Sequence, residues 1–324
     1  MKNVWIAVAT LSLSLSVLSL SVWISAAQAA EPSCDRACLE GFVDQYLAAL
    51  VAQDPSKLPL AKNARYTENG QELKLGDGMW GPTVTLGTYK LYLADPQAGQ
   101  VGFFGTIEEH GHPVILGLRL KIDGSNKKIS EIEVVALRKT SGVFSEPQNL
   151  VDKPIFHQAL TPSERRPRAE LIRVANTYFE GMEAGTDKNT PFDKDCQRIE
   201  NGVITSNDPT SKSPITRMSC GAQFATGFTK VITRVQERRF PVVDEERGLV
   251  LSIIRFDHSG KNKTITWADG TEHPVNPPFD QPYSFFIAEL FKIVDGKINR
   301  IEALVTPVPY GMWTGWPAHE PARK

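Results

Sequence analysis

Residues 249–258 read LVLSIIRFDH, an alternation that puts two different sets of chemistry on the two faces of one strand. Leu249, Leu251, Ile253, Arg255 and Asp257 share one face, and Val250, Ser252, Ile254, Phe256 and His258 share the other. If the first face lines a cavity, Arg255 and Asp257 enter it as a cation–carboxylate pair. The carboxylate can then take a proton while the guanidinium stabilises a developing enolate or oxyanion. If the second face lines it, His258 enters instead as the base. Glu289 shares a face with Tyr283, Phe285, Ile287 and Phe291 in a second apolar stretch. A carboxyl among aromatic rings is costly unless paired or protonated, so Glu289 either meets an arginine or is an acid of raised pKa. Asp257, His258, Arg255 and Glu289 are the catalytic candidates on these grounds.

Other residues suit ligand binding rather than proton transfer. Arg198 and Glu200 lie beside Cys196, where a disulfide would hold them rigidly. Asp244 and Arg247 belong to the run Asp244-Glu245-Glu246-Arg247-Gly248, whose ions either pair with one another in solvent or grip a polar ligand at a cavity mouth. In the earlier part of the chain Tyr66, Trp80, Tyr89 and Tyr92 either fill a core or line a pocket for a flat ligand. The binding candidates are Tyr66, Trp80, Arg198, Asp244 and Arg247. His110-x-His112, with Glu108 and Glu109 beside it, has the donor types of a metal site. Gly111 and Pro113 place it at a hairpin tip without the rigid geometry a metal needs, so no metal is expected. No His-Glu-x-x-His, Gly-x-Ser-x-Gly or Walker-type loop occurs. Gly76-x-Gly78-x-x-Gly81 runs into Pro82 outside any βαβ unit and reads as a turn. The expected chemistry is free of any cofactor.

The elements that must position these groups belong to an ordinary globular chain of 324 residues, 41% apolar and 23% charged. Its 36 basic and 37 acidic residues nearly cancel, which argues against a nucleic-acid binder. Lys2, the apolar and Ser-rich run from Val4 to Ile24, and Ala27-Gln28-Ala29 are the parts of a secretory signal peptide over residues 1–29. The mature protein is then exported, to the periplasm or the medium, with no membrane attachment after cleavage. Four cysteines in an exported chain read as two disulfides, and Cys34–Cys38 with Cys196–Cys220 keeps each pair within one half of the chain.

The halves are recognisable because the chain repeats itself. Leu39, Tyr46, Pro59 and Glu68-Asn69-Gly70 recur, at the same spacing, as Leu171, Tyr178, Pro191 and Glu200-Asn201-Gly202. Later, Lys121-Ile122-Asp123-Gly124 answers Lys292-Ile293-Val294-Asp295-Gly296, and Ile129, Ile132 and Glu133 answer Ile298, Ile301 and Glu302. Each half begins with an amphipathic helix, over residues 39–50 and from Pro167 to Gly185, and continues in strands. These are residues 101–109, 113–122 and 128–137 in the first half, and 249–258, 283–294 and 297–305 in the second. Glu133 and Glu302, at equivalent places, fit a shared structural role. Trp313 and Trp316 in the tail are expected to pack over one half or seal the junction.

A helix followed by a long curved antiparallel sheet in each half is an α+β arrangement. Both halves resemble the NTF2-like (SnoaL-like) cone, and the stretches Gly99–Gly105, Val114-Ile115-Leu116 and Arg239–Gly248 resemble an uncharacterised family of secreted, duplicated proteins of fungi and bacteria. The resemblance implies two tandem cones, each with N-terminal helices closing a strongly curved antiparallel sheet around a pocket. They would span residues 30–140 and 163–324, the second with a C-terminal tail, joined by a linker over 141–162. It implies no single reaction, since such cones host dehydratases, isomerases, cyclases, epoxide hydrolases and binding modules. The expected function is a cofactor-independent lyase or isomerase acting on a small organic hydroxy or carbonyl compound in the second cone. The competing expectation is a non-catalytic binding or assembly module. The chain is expected to be a monomer whose halves form a pseudo-dimer, or a homodimer of such chains.

Overall fold

The computed structural model describes residues 1–2, 34–139 and 143–317. The expected signal peptide falls almost wholly outside them. Helix α1 (Arg36–Val51) starts where the Asp35 side chain accepts from the Cys38 amide, and it buries Leu39, Phe42, Val43, Tyr46, Leu47 and Leu50. Six strands follow: β1 (Leu60–Glu68), β2 (Gln71–Glu72), β3 (Thr83–Asp95), β4 (Gln100–Glu109), β5 (His112–Asp123) and β6 (Lys128–Arg138). They form one sheet in the order β2-β1-β6-β5-β4-β3, antiparallel except where β1 runs parallel to β6.

After the short helix α2 (Pro154–His157) the same series returns. Helix α3 (Arg168–Ala184) ends at Gly185, whose φ of +64° suits a residue without Cβ. It leads to β7 (Phe192–Glu200), β8 (Val203–Ile204), helices α4 (Pro214–Arg217) and α5 (Cys220–Ala225), then β9 (Arg234–Asp244) and β10 (Leu249–His258). A small hairpin of β11 (Thr264–Thr266) and β12 (Glu272–Pro274) precedes β13 (Tyr283–Val294) and β14 (Lys297–Val308). The second sheet has the order β8-β7-β14-β13-β10-β9, with β7 parallel to β14, so the two sheets share one topology. This is an α+β fold with two six-stranded mixed sheets.

The repeated Glu-Asn-Gly explains itself here. Asn69 and Asn201 adopt φ of +47° and +50°, and each side chain bonds both ways with the last strand of its sheet. Asn69 gives Nδ2 to the Ala136 carbonyl and receives the Ala136 amide at Oδ1; Asn201 does the same with Val305. The amide groups extend the parallel ladder past the end of β1 and β7.

One face of each sheet packs on its own helix, and the opposite faces pack on each other. Leu91, Leu93, Phe104, Ile115 and Val135 of the first sheet share a buried cluster with Val242, Leu251, Ile253, Phe286 and Leu290 of the second. Burying a side chain of this size contributes roughly 1.5–3 kcal/mol, so this shared face is a major stabilising element. The ions around it are reciprocal. Glu133 on β6 binds Arg239 on β9, while Glu302 on β14 binds Tyr89 on β3. Asp95, at the end of β3, accepts from the Val243 amide at 2.9 Å and pairs with Arg168; Asp244, at the end of β9, accepts from the Ala94 amide at 3.4 Å and pairs with Arg36 at 2.7 Å. The expected shared role of Glu133 and Glu302 is therefore met at the junction.

Asp244 and Arg247 belong to the same junction. Asp244 is buried against Arg36 and the Arg247 amide, and the Arg247 guanidinium lies 3.7 Å from Glu40 on α1. Both disulfides form as paired above, Cys34–Cys38 and Cys196–Cys220. Among the described residues no helix is long and apolar enough to cross a membrane. Disulfides and the absence of such a helix are compatible with an exported protein.

Burial works against the charge of Glu133, but Arg239 and Arg119 outweigh it and hold the carboxyl below the usual carboxylate range. Its stabilisation is present above the unfolded-chain value and disappears as pH falls through the lowered one. Glu133→Ala leaves two buried guanidiniums sharing no carboxylate and should cost about 3–5 kcal/mol in urea unfolding at neutral pH. Glu72→Ala, which breaks the exposed pair with Arg65, should cost under about 1 kcal/mol.

Candidate functional site

The helix-bearing face of the second sheet borders a cavity of about 130 Å³. Phe228, Phe256, Phe279, Phe285, Ile287 and Met182 give it an apolar wall, and Val143 and Phe144 from the segment between the halves close one side. Its polar lining includes Tyr178, Arg198, Glu200, His258 and Glu289.

The register of the strands brings two of these together. Ala303 on β14 lies opposite Glu289 on β13 and opposite Glu200 on β7. The two glutamates therefore flank one small residue on the same face, with backbones about 10 Å apart at two interstrand spacings. Glu200 Oε1 is 2.8 Å from Arg198 Nε. Arg198 is itself held by the Thr205 hydroxyl at 3.0 Å, the Gln223 carbonyl oxygen at 3.0 Å and the Tyr178 hydroxyl at 3.4 Å. Gln223 sits on α5, which Cys220 ties to β7 through Cys196, so the disulfide fixes the arginine's cradle. Glu289 is buried, and its Oε2 has no hydrogen-bond partner among the described residues. Burial and the neighbouring Glu200 push its pKa from the ordinary 4.5 up to about 8, with Arg198 and Tyr178 acting in the opposite direction. At neutral pH the cavity thus holds Glu289 as a neutral carboxylic acid, with Glu200 nearby against Arg198.

A family model described as Domain of unknown function (DUF8021) matches residues 164–305. That stretch holds α3 and all but the last residues of the second sheet, and with them the glutamates, Arg198, Tyr178 and His258. No curated protein matches the chain.

Of the two faces of β10, the second lines the cavity. Leu249, Leu251 and Ile253 are taken up by the junction of the sheets, so alternation sends Val250, Ile254, Phe256 and His258 inward. Arg255 and Asp257, the first-named candidate pair, consequently lie on the junction side. Asp257 accepts from Arg255 at 2.8 Å, Arg234 at 2.7 Å and Ser284 at 2.5 Å. Arg255 also reaches Glu237 and the Met312 carbonyl, at 2.9 Å for the latter, so the pair pins the C-terminal tail. Burial notwithstanding, these hydrogen bonds hold the Asp257 carboxyl below its ordinary range.

His258 does enter the cavity, stacked on Tyr283 at 4.6 Å with Nδ1 unpartnered among the described residues. Burial pushes its pKa down to about 4, against the opposing charge of Asp257, so the imidazole is neutral. Glu289 is opposite Ser252, six residues before His258 on β10. That is about 20 Å along the strand, too far for both groups to act on one bond.

Tyr66 and Trp80 are buried in the core. In the first half Tyr66 and the Met79 amide both donate to Glu68 Oε2, at 2.9 and 2.8 Å, while Trp80 packs edge-on against Tyr46 inside the core. Arg138 pairs with both Glu68 and Glu109. In corresponding register Leu118 stands where the second half has Glu289, since Val134 lies opposite both Leu118 and Glu68. The filled half and the hollow half share a frame and differ in these side chains.

Sequence reasoning missed Glu200 as the partner of Glu289, and Tyr178, which reads as one more apolar position on α3. A signal was present: counting back from the Lys121 and Lys292 repeats aligns Leu118 with Glu289, an acid where the first half has a core leucine. An acid whose folded pKa lies above its unfolded value keeps its proton longer when folded, so stability falls as pH rises between the two. Urea midpoints of the wild type should decline from about pH 5 to about pH 8, and Glu289→Gln should flatten that decline. The neutral carboxyl should also give an infrared stretch at pH 6.5 that the variant lacks.

Proposed function

We propose that the second half is a cofactor-independent acid–base enzyme for a small, uncharged, mainly apolar carbonyl or hydroxy-carbonyl compound. The observation that supports this is the pair of carboxyl groups flanking Ala303 in one apolar cavity, one neutral and one in an ion pair. A buried carboxyl that keeps its proton suits the acid role, and a carboxyl held against a guanidinium suits the base role. Glu200 takes the proton from the carbon beside the carbonyl, and Glu289 gives its proton to the carbonyl oxygen, leaving an enol. In a β,γ-unsaturated ketone, the Glu200 proton passes to the γ carbon while the enol O–H proton returns to Glu289, which re-forms the carbonyl and completes an isomerisation. In a β-hydroxy ketone, the enol O–H proton returns to Glu289 as the carbonyl re-forms, the β C–O bond breaks, and Glu200 protonates the departing hydroxyl to water, which completes a dehydration. Arg198, fixed by Gln223 and Thr205, positions Glu200. His258 lines the mouth.

The size of the cavity limits the substrate. An apolar cavity of about 150 Å³ holds a benzene molecule, so about 130 Å³ suits a ligand of one ring or a short chain. We read the matching sheets as a duplicated NTF2-like unit in an exported monomer, the first cone filled and structural and the second active.

Proton abstraction can be detected without knowing the product. A panel of cyclic ketones, enones and hydroxy-ketones is incubated with the mature protein in D₂O, and deuterium uptake beside the carbonyl is followed by NMR. Uptake above the buffer rate that falls at least a hundredfold in Glu200→Gln supports the reading. Compounds that bind, seen as thermal stabilisation, but exchange no faster than in buffer would point to the competing binding module. Uptake unchanged in both Glu200→Gln and Glu289→Gln would remove the pair from the mechanism.

A further inference from the structure

A second depression lies at the junction of the halves, lined by residues of both. It is a groove of about 560 Å³, within the usual range for small-molecule sites. Its lining has five cationic side chains, Arg65, Arg119, Lys121, Arg168 and Arg239, and one acid, Glu131.

The floor is short of negative charge. Arg119 and Arg239, both at least nine-tenths buried, share the single carboxylate of Glu133. Arg119 and Lys121 in turn share Glu131, at 2.7 and 3.1 Å. Three cations thus rest on two carboxylates. The Nε–H of Arg239 has no partner among the described residues. Arg65 and Arg168 at the rim are already paired, with Glu72 and Asp95, and supply no anion to the floor. A buried guanidinium without a full countercharge is costly, and a bound anion would remove that cost.

An apolar platform adjoins the charges. Trp316 is anchored by its indole N–H, which donates to Thr67 Oγ1 at 2.8 Å, and the Arg65 and Arg119 guanidiniums lie 4.2 and 4.8 Å from its ring centre. Phe240 and Pro241 of β9 continue the apolar surface. We infer that this groove binds a small organic anion, a carboxylate or phosphate monoester carried on a flat apolar body. The anionic group meets Lys121 and the Arg119–Arg239 floor, and the flat body lies along Trp316 and Phe240. The site is independent of the chemistry proposed for the cavity and stands or falls separately from it.

The test follows the indole N–H resonance of Trp316 in the full mature chain, assigned by its loss in Trp316→Phe. The probes are phenyl phosphate, benzoate, inorganic phosphate and phenol. Phenyl phosphate or benzoate should shift the resonance saturably, at least tenfold more tightly than inorganic phosphate, and phenol should leave it in place. Which of the two ring anions binds more tightly distinguishes a phosphate ligand from a carboxylate one. Lys121 is half-exposed, so its substitution leaves the fold intact. Lys121→Glu should weaken binding at least tenfold and Lys121→Gln by a smaller factor. No shift with either ring anion, an equal shift with phenol, or unchanged affinity in both Lys121 variants would overturn the proposal.

Discussion

The packing of one sheet face on the other is the constraint from which the rest of the molecule follows. A strand presents its residues alternately to two sides, so once one side is committed to the junction the other is committed to the concave interior. On β10 the commitment is made by Leu249, Leu251 and Ile253. Arg255 and Asp257 must then follow them outward, where they hold the tail, and His258 must turn inward. The same logic places Glu133 and Glu302 among the ions of the junction. The reciprocity of these ions, with Arg36 reaching Asp244 and Arg168 reaching Asp95, means that each half contributes the same kind of group to the other.

Within that shared frame the two interiors differ by a few side chains. In the first, Glu68 and Glu109 meet Arg138, and Met79, Trp80 and Leu118 pack in the core. The second has Glu289 at the place of Leu118, and the segment carrying α4 and α5 stands where the first half has the short turn that bears Trp80. The added helices supply Cys220 and Gln223, and so the rigid support of Arg198. A buried carboxyl with an unpartnered oxygen is expensive for stability. Its presence where the first half has Leu118 sets the second interior apart from the first.

The tails of the halves behave alike. Residues after β6 cross to the second half, where Glu146 bonds Asn201 and Phe144 walls the cavity. Residues after β14 cross to the first half, where Trp316 bonds Thr67. The expected sealing role of Trp316 fits this exchange, whereas Trp313 remains half-exposed.

Much of this was legible in the residues. Helical spacing of Leu39, Tyr46 and Leu50, and of Leu171 and Tyr178, located α1 and α3, and the strongly apolar runs located β4, β5, β6, β10, β13 and β14. The repeat gave the order of elements in the two halves, and the even number of cysteines gave the disulfides. Strands β1, β3, β7 and β9 escaped notice because their exposed positions break the apolar alternation; β3 and β9 are sheet edges with irregular register. Glu289 was identifiable as a costly acid among aromatics, because that argument needs only the strand's period of two. Which face of β10 points inward was undetermined, since the alternation is equally good for either side and only packing on the first sheet chooses between them. The pairing of Glu289 with Glu200 was likewise out of reach. It depends on β14 lying between β13 and a parallel β7 some hundred residues earlier in the chain, a contact that exists only once the sheet has closed.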